Sequence, residues 1–315
     1  MFEIKKFIDS YSKITILSHL NPDGDAIGTS LGIYNILKAE GKLVEIVNAN
    51  RTLPLSLNFL PNFSKIKDRV EFNDGLVIAC DTGSLDRLGF DVTGRDILNI
   101  DHHQSNTYYG LHNIVKPSYV SASCVAYEIF KPEYQLSVDA VICFYTALVS
   151  DSQYFITNNV NKEVFDVTSD MIAYGINISK VAYNLNHRKS LSSLRILSSS
   201  LSSLKLYFSG RLSIVIATKE QIKESGANYN DLVGIVDYGI SLATVEISIC
   251  VMEVEEGMRV SLRSNKEIDV ATLAVAFGGG GHKNASGFEY KSENQESVEE
   301  AIEMLLTKIK EMELL

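Results

Sequence analysis

The sequence predicts an α/β fold in which an N-terminal domain with a parallel sheet is joined by a helix to a smaller C-terminal α/β domain. Up to about residue 160, short apolar runs alternate with helical stretches, which is typical of a parallel sheet covered by helices. The length of 315 residues favours two domains. Residues 190–206 are rich in serine, but their leucines recur every three or four positions and predict an amphipathic helix. We therefore expect domains at 1–188 and 209–315, with a linker helix at 189–208.

The individual elements are predicted from the spacing of apolar residues and from turn residues. In the first domain, strands are expected at 14–18, 43–47, 76–80 and 97–100, and helices at 25–40, 121–130, 138–149, 162–174 and 178–186. In the second domain, strands are expected at 212–217, 243–254 and 258–263, a hairpin turn at 255–257, and helices at 270–277 and 296–313.

Composition and charge exclude several classes of protein. The formal net charge is −10 and the isoelectric point is near 5.2, whereas a protein that grips long nucleic acid needs a basic face. The four cysteines are widely spaced and form no Cys-x-x-Cys pair, so we expect buried free thiols in a reducing compartment. No apolar run is long enough to span a membrane, and the first residues lack a signal-peptide core. We therefore expect a cytoplasmic protein that binds neither long nucleic acid nor membranes.

Three short stretches place acidic and histidine side chains where strands should end. They are residues 19–25, 80–83 and 101–103, and each follows an apolar run of strand length. In open parallel α/β sheets, ligands bind outside the carboxyl ends of the strands. Three of the six histidines fall inside these stretches, which indicates that histidine is used for chemistry here.

These stretches contain the residue types that bind divalent metals. A tight turn folds His19, Asp23 and Asp25 toward one point, as mixed nitrogen and oxygen ligation requires. Taken alone, the same segment also fits a plain turn in which Asp25 caps the following helix. Asp81 alone would be an ordinary acid at a strand end. Asp151 follows an apolar helix and by itself would be unremarkable.

The triplet Asp101-His102-His103 is harder to explain by structure alone. Adjacent histidines after a buried strand point in different directions, and a neighbouring acid can orient an imidazole. Another candidate is the run 278–287, in which four glycines precede His282. It matches neither the dinucleotide fingerprint nor the P-loop. It is either a flexible hinge or a place where backbone amides approach an anion or a base, with His282 and Arg263 holding a phosphate.

Together, these motifs resemble the DHH/DHHA1 phosphoesterase superfamily, most closely its bacterial branch of nano-RNases with 3′-phosphoadenosine 5′-phosphate (pAp) phosphatase activity. The resemblance implies an N-terminal DHH domain that holds two divalent metal ions and a C-terminal DHHA1 domain that binds substrate. The metal ligands that it implies are His19, Asp23, Asp25, Asp81, His102 and Asp151, with Asp81 shared between the two ions. Histidine in both sites favours Mn²⁺ over Mg²⁺.

The resemblance also implies roles for other residues. His103, beside Asp101, would face the scissile phosphate as the catalytic histidine. The substrate ligands that it implies are Arg263, Gly279, Gly280, Gly281, His282 and Ser286. Three weaker candidates lie near the motifs, although each could serve the fold instead: Arg87, Asn106 and Ser123.

The expected function is hydrolysis of short oligoribonucleotides to nucleoside 5′-monophosphates, together with conversion of pAp to AMP. One alternative is a phosphodiesterase for linear or cyclic dinucleotides such as pApA and c-di-AMP. An alternative of another class is a nucleotide-binding regulator without turnover. The expected partners are short RNA or a small nucleotide, and a homodimer is left open.

Overall fold

The computed structural model describes residues 3–255, 257–265, 267–291 and 297–315. The chain divides into two compact units, one up to Arg188 and the other from Lys189 onward. Both units contain a sheet and helices, and the predicted α/β class is confirmed. In the described part of the chain, no helix has both the length and the apolar character needed to cross a bilayer.

The first unit is built on a six-stranded sheet whose neighbouring strands are all parallel. Its strands are β1 (Lys13–Ser18), β2 (Leu43–Val47), β3 (Ile66–Lys67), β4 (Leu76–Cys80), β5 (Ile97–Asp101) and β6 (His112–Val115). Its helices are α1 (Ile4–Asp9), α2 (Gly24–Ala39), α3 (Ala122–Phe130), α4 (Val138–Asp151), α5 (Lys162–Ile172) and α6 (Ile178–His187). The strand order is β3-β2-β1-β4-β5-β6, so the direction of winding changes between β1 and β4. Such a change creates a crevice at the carboxyl edge of the sheet.

Close packing of α2 against α4 brings two parts of the candidate site together. A Cβ atom on Gly28 would lie 2.6 Å from the carbonyl oxygen of Cys143, so α2 needs glycine where it crosses α4. At the start of α2, a Cβ atom on Gly24 would lie 2.2 Å from Ser150 Oγ. The first turn of α2 therefore lies against the last turn of α4, where Asp151 is the final residue.

The second unit has a mixed six-stranded sheet of order β11-β12-β10-β9-β8-β7, in which only β8 and β9 pair in parallel. Its strands are β7 (Lys205–Tyr207), β8 (Leu212–Ala217), β9 (Ile247–Val254), β10 (Gly257–Ser264), β11 (Gly280–His282) and β12 (Ala285–Lys291). Its helices are α7 (Leu191–Leu201), α8 (Lys219–Ser225), α9 (Tyr229–Leu232), α10 (Ile235–Ile240), α11 (Val270–Ala276) and α12 (Val298–Glu311).

The segment 189–208 differs from the predicted linker helix. The helix α7 ends at Leu201, and residues 205–207 form the edge strand β7. Ile196 is completely buried in a core that includes Val215, so α7 packs as part of the second unit. The predicted apolar face is also partly wrong, because Leu191 and Leu194 are exposed.

Other departures from the predicted elements have simple causes. The strands β3, β6, β7 and β11 have two to four residues each, too few to show a period of alternation. The predicted strand 243–254 begins only at Ile247. Residue 256 of the predicted turn and residue 296 of the predicted last helix lie outside the described residues. The four cysteines are buried and free, as predicted.

Candidate metal centre

The acidic and histidine side chains meet at the carboxyl edge of the first sheet. His19 directly follows β1, Asp81 directly follows β4, and Asp101 is the last residue of β5. Because β1 and β4 are adjacent where the winding changes, the first two loops flank the crevice. Asp25 in the first turn of α2 and Asp151 at the end of α4 complete the cluster.

Two histidine rings are oriented by backbone carbonyls. His19 Nδ1 lies 2.7 Å from the carbonyl oxygen of Leu20, and His102 Nδ1 lies 3.1 Å from that of Tyr119. A carbonyl oxygen only accepts hydrogen bonds, so each Nδ1 donates a proton and each Nε2 faces the carboxylates. Metal-binding histidines are typically held in this way.

One group of possible ligands consists of His19, Asp23 and Asp81, whose ligand atoms lie within 4.8 Å of one another. His19 Nε2 is 3.5 Å from Asp81 Oδ2 and 3.9 Å from Asp23 Oδ1. These separations exceed those of good hydrogen bonds. They are close to the separations of atoms that share an ion, because neighbouring ligands bound at about 2.1 Å lie roughly 3 to 3.5 Å apart.

A second group consists of Asp25, His102 and Asp151. His102 Nε2 is 3.4 Å from Asp151 Oδ2 and 3.8 Å from Asp25 Oδ2. The same nitrogen is 3.6 Å from Asp81 Oδ1. Asp81 therefore directs one carboxylate oxygen toward each group, which is the arrangement of a shared ligand.

Asp81 is both strained and incompletely paired. Its φ angle is 52°, in the left-handed region, and its side chain is almost completely buried. The backbone is held there by a 2.9 Å hydrogen bond from its N–H to the Ile100 carbonyl. Among the described residues, Oδ1 has no hydrogen-bond partner. A buried carboxylate oxygen without a donor costs stability, and a bound cation would satisfy it. The donor set therefore fits a divalent metal.

Asp23 and Asp25, at the start of α2, have different roles. Asp23 Oδ1 accepts the Asp25 N–H at 2.9 Å, so Asp23 is the helix cap, and the interpretation that assigned the cap to Asp25 is wrong. Asp25 is instead held from α3, where its Oδ2 accepts the Ala122 N–H at 2.6 Å and its Oδ1 accepts the Ser123 N–H at 3.1 Å. The positive end of that helix dipole stabilises the carboxylate.

A chain of hydrogen bonds fixes the direction of His103. Its Nδ1 donates to Asp101 Oδ1 at 2.7 Å, and Asn106 donates to the other oxygen of Asp101. Asn106 is also 2.7 Å from Asn99 Oδ1, and Asn99 donates to the Tyr109 hydroxyl at 3.0 Å. Asn106 is therefore a buried residue that positions Asp101. This role replaces the expectation that Asn106 contacts substrate.

His103 also belongs to a possible metal-binding group with Asp81 and His102. However, its Nδ1 is engaged by Asp101. Its predicted position beside the scissile phosphate stays a prediction.

Burial and mutual repulsion determine which groups of the cluster hold protons. Burial, together with the charge of Asp81, raises the pKa of Asp25 to about 7. Burial and the nearby carboxylates also raise the pKa of Asp151 well above its ordinary value. The neighbouring histidines overcome the effect of burial on Asp81 and hold its pKa below the usual range. Burial opposes the charged form of His103, but its hydrogen bond to a carboxylate raises the pKa to about 9. Metal binding at this cluster would therefore release protons.

Comparison with known proteins gives the family. The model of the DHH family N-terminal domain matches residues 13–149, and the model of the DHHA1 domain matches residues 212–311. The protein belongs to the DHH/DHHA1 family of phosphoesterases. The resemblance predicted from the motifs is thus confirmed.

Proteins of similar sequence align with most of this chain. The bifunctional oligoribonuclease and PAP phosphatase NrnA of Thermus thermophilus is 29% identical over 306 residues, which cover 95% of this chain and 89% of that protein. The protein of the same name from Bacillus subtilis is 26% identical over 293 residues, covering 90% and 91%. A crystal structure of an exopolyphosphatase-related protein from Bacteroides fragilis is 28% identical with a TM-score of 0.87, and the match covers 98% of this chain and 96% of that one.

In the DHHA1 domain, the predicted phosphate-binding arginine already has a partner. Arg263 lies in β10, and its Nε is 3.0 Å from Asp237 Oδ1. An anion at Arg263 would therefore compete with this carboxylate.

The glycine run is partly an edge strand rather than a loop. Residues 280–282 form β11, which pairs with β12. A Cβ atom on Gly279 would lie 2.2 Å from the Gly287 carbonyl oxygen, and Gly281 has a φ angle of 139°, so the hairpin itself requires glycine at both positions. At Gly280, nothing lies within 4 Å of a Cβ position. Gly280 and His282 are exposed and remain candidates for ligand contact.

Three further candidates differ in their environment. Ser286 is buried, and its hydroxyl donates to a carbonyl at the start of α11 at 2.7 Å. Ser123 is completely buried with its hydroxyl 2.7 Å from that of Ser121, so its role is structural and the expectation of substrate contact is corrected. Arg87 is exposed beside the crevice, and its carbonyl accepts the Leu20 N–H at 2.8 Å.

Sequence reasoning missed the buried asparagines around the site. Asn99 lies inside β5 and Asn48 directly follows β2, and both are completely buried. Asn48 donates to the carbonyl oxygen of His19 at 2.9 Å. The sequence signal that could have found them is an asparagine within or next to an apolar strand. Such an amide is buried, and a buried amide must have hydrogen-bond partners.

Proposed function

We propose that the protein is a two-metal phosphoesterase that hydrolyses short oligoribonucleotides to nucleoside 5′-monophosphates and also converts pAp to AMP. The observation that carries the proposal is the pair of ligand groups joined by Asp81. The names of the relatives, which align over about nine tenths of this chain, support the choice of substrate. Imidazole nitrogens in both groups favour Mn²⁺ or a similar transition ion.

The chemistry assigned to the residues follows from their geometry. Two ions held by the groups would lower the pKa of the attacking water and neutralise charge on the phosphate. His103, held at Nδ1 by Asp101, has a raised pKa of about 9 and so carries a proton at neutral pH. From Nε2 it donates a hydrogen bond to a phosphate oxygen or a proton to the departing oxygen.

The proposed substrates are small because the protein is acidic. A net charge of −10 disfavours long nucleic acid, whereas a short anion can be held by cations at a local site. In the DHHA1 domain, Arg263, Gly280 and His282 are the residues proposed to contact the nucleotide.

The test is hydrolysis by the purified protein with Mn²⁺. A dinucleotide, a pentanucleotide, pAp, pApA, c-di-AMP and a long RNA are offered at equal concentration, and the products are resolved over time. We expect monophosphates from the short RNAs and AMP from pAp. Asp81→Asn should abolish turnover, and Asp86→Asn, at a nearby exposed acid outside the cluster, should not. Preference for c-di-AMP would support the dinucleotide phosphodiesterase, and nucleotide binding without any hydrolysis would support a regulator.

A further inference from the structure

A groove of about 350 Å³ opens in the DHH domain at the same sheet edge as the metal centre. One wall is residues 50–53, which follow β2, and the other is residues 66–71, which begin with β3. The groove is lined by three basic and two acidic side chains, although the chain as a whole is strongly acidic. These side chains are Arg51, Lys67, Asp68, Arg69 and Glu71.

The positive charge available in the groove belongs to two arginines. Lys67 forms an ion pair with Glu71 on the same wall. Arg51 and Arg69, on opposite walls, are exposed, and within the described ranges neither forms an ion pair. A guanidinium offers a planar pair of donors that matches two oxygens of a phosphate. Because both arginines line the same groove, they are candidates to contact one anion from opposite walls.

One buried side chain joins this groove to the metal centre. Asn48 Nδ2 donates to the carbonyl oxygen of the proposed ligand His19 at 2.9 Å. Asn48 Oδ1 accepts the N–H of Asn50, at the start of one wall, at 2.9 Å. The backbone N–H of Asn48 donates to the carbonyl of Lys67, on the other wall, at 3.0 Å. Both walls are thus tied to the loop that carries His19.

Two more contacts hold the walls in place. Asn50 Oδ1 accepts the Asn21 N–H at 2.8 Å, and Asn50 Nδ2 donates to Asn21 Oδ1 at 3.1 Å. At the far end, the buried carboxylate of Glu45 accepts the N–H groups of Glu71 at 3.1 Å and Phe72 at 3.0 Å. The groove is therefore formed before any ligand binds, at a constant offset from the metal centre.

The offset suits a substrate longer than a single nucleotide. β2 and β3 are the first and second neighbours of β1 on this side, and strands lie about 4.8 Å apart, so the groove spans roughly 5 to 10 Å from the end of β1. We propose that Arg51 and Arg69 form an anion-binding subsite for a backbone phosphate of an oligoribonucleotide whose scissile phosphate lies at the metal centre. This proposal rests on the proposed function and extends it, because the subsite selects for chain length.

The first test compares substrates of different length. In the double variant R51A/R69A with Mn²⁺, kcat/KM for a pentaribonucleotide should fall about 10-fold or more, because both arginine contacts to one phosphate are lost. The value for a dinucleotide without a terminal phosphate should stay within about 2-fold, since its single phosphate lies at the metal centre and not at the subsite. Lys38→Ala is the matched control, because Lys38 is exposed in the last turn of α2, at the opposite edge of the sheet. An equal loss on both substrates, or no loss on the pentamer, would overturn the proposal.

The second test measures binding without turnover. Fluorescence anisotropy of a labelled pentaribonucleotide is recorded with EDTA-treated protein at several salt concentrations. R51A/R69A should weaken binding about 10-fold and reduce the slope of log Kd against log salt by about 0.7 for each lost phosphate contact. R51K/R69K should keep most of the slope. An unchanged slope in R51A/R69A, or no binding that depends on length in the parent protein, rejects the subsite. If the parent hydrolyses none of the substrates, the proposed function is wrong, and this binding result still decides the subsite.

Discussion

Replacing Asp81 with asparagine should separate metal binding from folding. Asparagine has nearly the same size as aspartate and tolerates the left-handed backbone at this position, where φ is 52°. The change also removes one of the charges that raise the pKa of Asp25. It also removes a carboxylate whose charge the neighbouring histidines stabilise, so the two effects on stability oppose each other. We therefore expect metal-free Asp81→Asn protein to remain folded, although it loses metal binding and turnover.

The expected size of the effect follows from the pKa of Asp25. A rise from 3.8 to about 7 corresponds to about 4 kcal/mol against the charged form. Burial is the largest cause and the charge of Asp81 is the next, so removing the Asp81 charge should return part of this free energy. Because the folded-state pKa is raised, this contribution favours folding below pH about 4 and is lost as the pH rises through about 7. The gain should therefore be largest at pH 8.

The backbone provides an internal comparison. Alanine in the left-handed region costs about 1 to 2 kcal/mol, so Asp81→Ala should be less stable than Asp81→Asn. For a domain of this size, 1 kcal/mol shifts Tm by about 2 to 4 °C. The two variants should thus differ by about 2 to 8 °C in the absence of metal.

Thermal unfolding at pH 8 with EDTA or with excess Mn²⁺ measures both effects. At 100 times Kd, a bound ion stabilises the folded state by about 2.7 kcal/mol, or roughly 5 to 10 °C for the parent. Asp81→Asn should gain less than half of this, and the control Asp86→Asn should gain all of it. A full Mn²⁺ shift with normal turnover in Asp81→Asn would refute the shared-ligand role. A large loss of stability in the metal-free asparagine variant would refute the argument from strain and repulsion.

Three further predictions concern the same site and its substrate. His102→Ala should lose metal, as measured by elemental analysis. His103→Ala should keep its metal, and its rate should fall by a factor of about 10² to 10⁴. Equal metal loss in both variants would contradict these roles. The apparent Mn²⁺ affinity, measured by titration, should rise as the pH increases through about 7, because the pKa values of the proposed ligands Asp25, raised to about 7, and Asp151, also raised, mean that protons must leave. A flat profile would contradict this. Arg263→Ala should lower kcat/KM for a dinucleotide about 10- to 100-fold and leave bis(p-nitrophenyl) phosphate hydrolysis unchanged; equal losses on both would place Arg263 at the reacting phosphate.

The clustering of residues at the candidate metal centre could be predicted because their signals are local in the sequence. His19, Asp81 and His102 each stand at or just beyond the end of a short apolar run, and parallel strands end at a common edge. The sequence alone could not show that Asp151 reaches the same point. That contact depends on how closely α2 and α4 approach, which in turn depends on small residues such as Gly28 facing the partner helix.

The supporting hydrogen bonds could not be predicted, because each joins residues from different loops. Asn48 holds His19 from the neighbouring strand, and Asn99 holds Asn106 from within β5. Nothing in the local pattern around Asn106 shows that its amide serves Asp101 rather than a ligand. The same limit applies to Arg263, whose partner Asp237 comes from α10.

In the described part of the DHH domain, Asp81 combines a strained backbone with a buried side-chain oxygen that has no hydrogen-bond partner. Its backbone occupies a region that favours glycine, and its Oδ1 lacks a hydrogen-bond donor among the described residues. The charge of Asp81 raises the pKa of Asp25, and the charge of Asp25 raises the pKa of Asp151, which is also unfavourable for folding. Local features that oppose stability persist when the surrounding structure enforces them, and they gather where a ligand binds. Here the enforcing contacts are the buried strand ends and the helix pair, so the cation that relieves the repulsion should also be the largest single stabiliser of this edge of the sheet.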